Sequence, residues 1–312
     1  MYKRQEGGRI ISTEPFYAYI KIAEGCSNNC TYCAIPSIRG KYRSRRMEDI
    51  VKEARWLAEN GVTELVVVAQ DTTRYGEDIY GKSMLPELLT ALCEIDGFKW
   101  IRTLYCYPER ITDELLDVIA KEDKLVKYLD MPIQHCDKTI LKRMNRRGDR
   151  ETLTALIKKI REKIPNVTLR TTLITGFPGE TKEQFEELCE FVKEIRFERL
   201  GCFAYSPEEG TPAEKFEDQV PLKDRERRAE IIMEEQMIIS DSLNEAALDS
   251  EVEVVCEGFD RYAECYYGRS QADAPEIDGK IFFLSEDKVR VGEYVKVKID
   301  DTMDYDLIGS KM

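Results

Sequence analysis

Histidine is almost missing from this 312-residue chain, with His135 the only one. That excludes zinc catalysis built on several histidines and leaves a serine–histidine triad one candidate base. Net positive charge is missing as well. Lys and Arg number 47 against 60 Asp and Glu, for a formal charge of -13. A general nucleic-acid binder needs cations to displace counterions from phosphate, so nucleic acid is not an expected partner, whereas a basic protein is. No run approaches the ~18 apolar residues of a membrane span. Residues 1–8 lack the apolar stretch of a secretory signal. A cytoplasmic location with no membrane partner is expected, and the ten cysteines are expected as reduced thiols.

What is present is a long alternation of strand and helix patterns. Apolar strand-like runs fall at 18–22, 64–69, 100–105, 125–129, 167–174 and 199–204. Amphipathic stretches lie between them, for example 47–60, 85–96, 113–121 and 182–196. Gly61 marks one helix stop and Pro165 another. Strands alternating with helices imply βαβ units and a parallel sheet. Six strands are too few for a complete eight-fold barrel. The predicted fold class is therefore α/β, with a partial (β/α)6 barrel.

Residues 206–220 read as a linker, and 222–249 as one long connecting helix with Ile231, Ile232, Gln236, Ile239 and Leu243 along one side. Beyond 250 the period shortens to five strand-like runs, at 251–256, 262–267, 279–284, 294–299 and 307–309. That pattern fits a small, all-β, OB-like barrel. It carries 15 acidic and 8 basic residues between 251 and 312, so it is far more acidic per residue than the rest. The predicted division is a lead-in at 1–14, a barrel at 15–220, the connecting helix at 221–249 and the β-barrel at 250–312.

The strongest chemical signal is Cys26, Cys30 and Cys33, spaced by four and three directly after the first predicted strand. Structural zinc usually takes four ligands, often in two pairs, and here the next cysteine, Cys93, lies 60 residues further on. A ferredoxin run supplies four cysteines. Three thiolates can hold three irons of a [4Fe–4S] cube and leave the fourth iron open to a small molecule. A zinc site and three incidental thiols are the competing readings. Gly25 and Pro36 flank the loop and let it wrap a compact group.

With Tyr32 before the third cysteine, this spacing resembles the radical S-adenosylmethionine (SAM) enzyme motif. The stretches 20–26, 34–40 and 176–181 resemble the methylthiotransferase family within it. The stretches 69–76, 130–135 and 268–279 resemble the branch that modifies an aspartate of small-subunit ribosomal protein S-twelve more than the branch that modifies tRNA. The C-terminal module resembles a TRAM domain. In tRNA-modifying relatives that domain contacts RNA, whereas an acidic one suits a basic protein.

The resemblance implies a [4Fe–4S] cluster on Cys26, Cys30 and Cys33, with SAM chelated at the open iron. One electron then cleaves SAM to methionine and a 5′-deoxyadenosyl radical. Expected SAM contacts are Tyr32, Gln70, Gln134, Arg170 and Gly176. Gln70 and Gln134 follow strand ends, where barrel enzymes place ligand contacts. Expected partners are a basic small-subunit ribosomal protein and a flavodoxin- or ferredoxin-like electron donor. Family members carry a further N-terminal domain with a second [4Fe–4S] cluster implicated in sulfur delivery. That domain is expected to be absent here, which would leave the SAM-cleaving and substrate-docking part. A tRNA adenosine methylthiotransferase and a non-catalytic iron–sulfur module are the alternatives.

Basic stretches at Arg39, Lys41, Arg43, Arg45 and Arg46, and at Arg143, Arg146, Arg147 and Arg150, read as solvated faces, with binding of the SAM carboxylate or a phosphate-like group, or contact with RNA, as the alternatives. His135 reads as structural. The other seven cysteines, Trp56 and Trp100 read as core.

Overall fold

The computed structural model describes residues 10–312, so most of the lead-in expected at 1–14 lies outside the described residues. Six parallel strands form the first unit. They are β1 (Tyr17–Lys21), β2 (Glu64–Val68), β3 (Trp100–Thr103), β4 (Tyr128–Asp130), β5 (Thr168–Thr175) and β6 (Arg199–Ala204). β1, β2 and β3 are hydrogen-bonded in that order, as are β4, β5 and β6. The two halves meet at a single parallel bridge between Ile101 and Leu125. Helices make the crossovers, at α1 (Met47–Glu59), α2 (Leu85–Cys93), α3 (Asp113–Lys121), α4 (Arg150–Lys163) and α5 (Lys182–Ile195).

Local sequence sets these boundaries. Asp149 and Thr152 form a reciprocal capping box at the start of α4, and Thr181 and Gln184 form another at α5. The strands alternate as a layered barrel requires. Leu65 and Val67 face the helices in the main core, while Val66 faces inward with Trp100 and Tyr128. Trp56 departs from expectation. It sits on the outer side of α1, 37% exposed, because Ile50, Ala54 and Leu57 supply that helix's buried stripe.

The long helix α6 (Leu222–Ala246) runs along the β6 side of the open barrel and buries Ile232, Gln236 and Ile239. Gln236 donates from Nε2 to the Phe197 carbonyl at 2.9 Å. The helix ends three residues before the predicted 249. Asp249 turns into the left-handed region (φ 62°), and its N–H bonds the Ile299 carbonyl. Five strands follow: β7 (Glu251–Asp260), β8 (Cys265–Arg269), β9 (Ile281–Leu284), β10 (Tyr294–Met303) and β11 (Asp306–Lys311). They close into a barrel in the order β8-β9-β11-β10-β7 around Val254, Phe283, Val297 and Ile299.

The two units are joined by a buried ionic floor. Glu64, at the start of β2, takes Arg102 Nε at 3.0 Å and Arg269 Nη2 at 2.7 Å. All three residues are at most 1% exposed. The loop after β8 then enters the barrel from below. Asp278 accepts from the Tyr128 hydroxyl at 2.7 Å, Asp273 pairs with Arg199 at 2.6 Å, and the Gln271 carbonyl accepts from Arg102 at 2.9 Å. Burial raises the Glu64 carboxyl, but Arg269 and Arg102 outweigh it and hold the group below its ordinary range. No helix among the described residues is long and apolar enough to cross a membrane.

Candidate active site

The cysteine loop leaves the barrel after β1. Gly25 adopts φ 79°, and a Cβ there would stand 2.4 Å from the Lys41 carbonyl. Only glycine lets the loop fold back so closely. The Cys26 N–H then bonds the Gly40 carbonyl at 3.1 Å and closes the turn. Cys26, Cys30 and Cys33 are free and half-buried. All three line one cavity of about 420 Å³. The rest of the wall comes from the C-terminal ends of successive strands: Gln70 after β2, Tyr105 and Tyr107 after β3, Gln134 after β4, and Thr172 within β5.

Burial raises the Cys26 and Cys33 thiols, while the backbone N–H groups of Asn28 and Ile35 pull them down. Such N–H groups stabilise the thiolate that a metal needs. Among the described residues, no three His, Cys, Asp or Glu side chains gather round one ion position. A single zinc requires that convergence. A cube spreads its thiolates over separate irons and does not.

Two further observations fit a bound SAM. The side-chain carbonyl oxygens of Gln70 and Gln134 are buried in the cavity wall and have no hydrogen-bond partner. Buried acceptors without a donor are costly, and an ammonium or ribose hydroxyl would satisfy them. Gln134 is also held in the left-handed region (φ 71°), with its N–H on the Thr172 carbonyl and its own carbonyl accepting from Ile174, both at 2.9 Å. Tyr105 shares that conformation (φ 61°) and is tied to the Asp130 carboxylate. Such non-glycine outliers persist where surrounding structure over-determines them, often at ligand sites.

The structure thus brings together six sequence-predicted residues: Cys26, Cys30, Tyr32, Cys33, Gln70 and Gln134. It places the other two elsewhere. Arg170 lies two residues before Thr172 on the same strand face, one layer deeper than the cavity. Its guanidinium pairs with Asp130 at 2.9 Å and approaches Asp278 at 3.7 Å, so it belongs to the floor. Gly176 follows β5 with φ 67°, and a Cβ there would come within 2.3 Å of Arg225 on α6. The close approach that requires glycine is helix packing, and neither Gly176 nor Arg170 lines the cysteine cavity.

His135 accepts at Nδ1 from the Asp137 N–H and directs Nε2–H to Glu180 at 3.1 Å. Glu180 also accepts the Gly176 N–H and an Arg228 contact, a structural tie beneath the turn. Among the wall residues that sequence reasoning did not place at the cavity, three bear on the cysteines. Cys106 is buried in the core as expected and also borders the cavity, and burial pushes its thiol up to about 12, which keeps it neutral. Tyr107 places its hydroxyl 2.8 Å from Cys30 Sγ. Arg146, part of a stretch expected to be solvated, is 6% exposed and stacks on Tyr107. For Cys106 and Tyr107 a position just beyond a strand end was the available signal, whereas Arg146 lies in the loop before α4. Arg146 also walls a second cavity of about 470 Å³, with Arg74, Arg110, Lys142 and Arg147.

A partial parallel barrel with three thiols at its mouth, followed by a closed β-barrel, defines a radical SAM enzyme carrying a TRAM domain. The Radical SAM superfamily matches residues 20–192, and the TRAM domain matches 250–311. Among solved structures, the barrel is similar to the radical SAM methyltransferase TsrM from Kitasatospora setae. That match has TM-score 0.50 and 18% identity over 61% of this chain and 38% of that one. Coproporphyrinogen III oxidase (HemN) from Escherichia coli, described as a radical SAM enzyme, matches with TM-score 0.50 and 21% identity over 72% of this chain and 52% of that one. These likenesses bear on the fold alone.

Sequence relatives are much closer. The ribosomal protein uS12 methylthiotransferase RimO of Clostridium tetani is 52% identical over 304 residues, covering 97% of this chain and 68% of the relative. The protein of that name from Clostridioides difficile is 53% identical over 301 residues, covering 96% and 68%. The chain belongs to the RimO family of radical SAM methylthiotransferases. The cofactors of this class are a [4Fe–4S] cluster and SAM, as the sequence implied.

Proposed function

We propose that this chain adds a methylthio group to the β-carbon of an aspartate of the small-subunit ribosomal protein uS12, with residues 15–312 supplying the SAM-cleaving and substrate-docking parts. Three thiols and two unpartnered glutamine oxygens share one cavity at the strand C-termini, and that observation carries the reading. Cys26, Cys30 and Cys33 hold the cluster as thiolates. When bound, the cluster and SAM supply a 5′-deoxyadenosyl radical able to take hydrogen from an unactivated carbon. Gln70 and Gln134 accept hydrogen bonds from SAM, and Tyr32 forms part of the wall against which it lies. The cavity walls and ionic floor exclude water from below and leave the mouth as the route for the target side chain.

The acidic C-terminal module, with 15 acidic and 8 basic residues over 251–312, docks the basic substrate protein and disfavours RNA. A flavodoxin- or ferredoxin-like donor supplies electrons in the cytoplasm. Sulfur delivery is not assigned to any described residue. The test is anaerobic reconstitution with iron and sulfide, then dithionite and SAM, with 5′-deoxyadenosine as the readout. Iron incorporation and deoxyadenosine, both lost in a Cys26/Cys30/Cys33→Ala triple variant, are expected. Zinc in place of iron, or product unaffected by the variant, would overturn the assignment.

A further inference from the structure

We propose that Tyr107, braced by Arg146, raises the reduction potential of the cluster through a hydrogen bond to Cys30. This rests on the cysteine ligation given above. The Tyr107 hydroxyl lies 2.8 Å from Cys30 Sγ. A ligating cysteine is a thiolate with no proton to give, so in the loaded protein the hydroxyl is the donor. Hydrogen bonds to the sulfurs, net charge and solvent exposure set the potentials of iron–sulfur clusters. A donor aimed at a ligand sulfur favours the reduced cluster, which carries more negative charge.

Arg146 acts in two ways. Its guanidinium carbon stands 3.8 Å from the centre of the Tyr107 ring, which fixes the ring and draws electron density from it. It also brings a positive charge into a poorly solvated wall, where a charge acts over a longer range than in water. Its other partners are Glu109 at 3.4 Å, the Pro132 carbonyl at 2.9 Å and the Tyr32 side chain, which also reaches Cys30. The brace therefore joins the end of β3, the end of β4 and the cysteine loop. Tyr107 and Arg146 are positioning residues, since both act on the reacting cofactor through Cys30.

The experiment is an anaerobic redox titration of the reconstituted chain without SAM, followed by electron paramagnetic resonance. Wild type is compared with Tyr107→Phe and Arg146→Met. Both variants are expected to keep full iron content and titrate at more negative potential. For Tyr107→Phe the reduced-to-oxidised ratio at fixed potential should fall by about tenfold, which is 59 mV for a one-electron couple. Unchanged potentials at full iron content overturn the proposal. A wild-type chain that assembles no cluster overturns the cysteine ligation instead. Should Tyr107→Phe fail to retain iron, electron–nuclear double resonance of the wild-type protein decides. A deuterium-exchangeable proton coupled to the reduced cluster, whose coupling changes when 3-fluorotyrosine, which keeps the hydroxyl, is placed at 107, supports the bond. Its absence in the wild type refutes it.

Discussion

Replacing Glu64 by Gln tests the ionic floor with little change in shape. The carboxylate is fully buried between Arg102 and Arg269. Arg269 retains Glu257 at 2.6 Å after the change, whereas Arg102 keeps, beyond Glu64, the Gln271 carbonyl at 2.9 Å and the face of the Tyr128 ring. Its Nη2 already lacks a partner. Removing one member of a buried ion pair costs roughly 3–5 kcal/mol because a charge is left uncompensated. The surviving Arg269–Glu257 contact puts the expected loss at the lower end, about 3 kcal/mol. At ~2–4 °C per kcal/mol for a chain of this size, the melting temperature should fall by about 6 °C or more. Calorimetry should also show the transition broaden or split, because the same network joins the two units. A second change, Arg102→Met, should restore part of the loss by removing the orphaned cation. A loss below ~1 kcal/mol, the scale of an exposed ion pair, refutes the argument.

The same carboxylate gives a pH prediction. Its folded-state pKa is depressed, so its contribution is present above the unfolded value of about 4.3 and lost as pH falls through the folded value. The gap between wild type and Glu64→Gln should therefore close on acidification below about pH 4, as followed by urea unfolding. Gly176→Ala forces a Cβ against Arg225 in left-handed backbone. It should destabilise the chain by at least ~1–2 kcal/mol while the fraction that folds binds SAM normally in equilibrium dialysis. Arg170→Met should lower stability yet leave SAM affinity of the reconstituted protein within about twofold, because its partners are Asp130 and Asp278. Gln70→Ala and Gln134→Ala should each weaken SAM binding by about 2–10-fold, the worth of one hydrogen bond of ~0.5–1.5 kcal/mol. Isothermal titration checks this, and unchanged affinity removes that glutamine from the SAM site.

Much of this architecture was legible because its signals are local. Six apolar runs separated by amphipathic helices require a parallel sheet, and the strand-end rule placed Gln70 and Gln134 at the mouth. The cysteine spacing needed no tertiary information. Arg170 was misplaced because alternation tells which face a side chain occupies and nothing of its depth. Its depth is decided by Asp278, more than 100 residues away in sequence. Gly176 looked like a ligand turn because its real neighbour, Arg225, comes from a helix whose docking no local pattern reveals. Arg146 was hidden for the converse reason. A run of arginines suggests solvent, and only the fold shows that one of them lies across a tyrosine.

The loop at 269–279 has a consequence for how a target is chosen. Arg269, Asp273 and Asp278 fasten it to Glu64, Arg199 and Tyr128 inside the first unit. The C-terminal barrel is therefore bolted to the radical chamber and does not trail from it on a tether. The span between that barrel, acidic in composition, and the chamber mouth is a fixed length of the molecule. On the docking proposed above, a substrate held by that barrel must cover the span with its own chain before an aspartate reaches the mouth. Selection then works as a gauge does: a carboxylate set too near or too far from the gripping segment never arrives, whatever its local sequence.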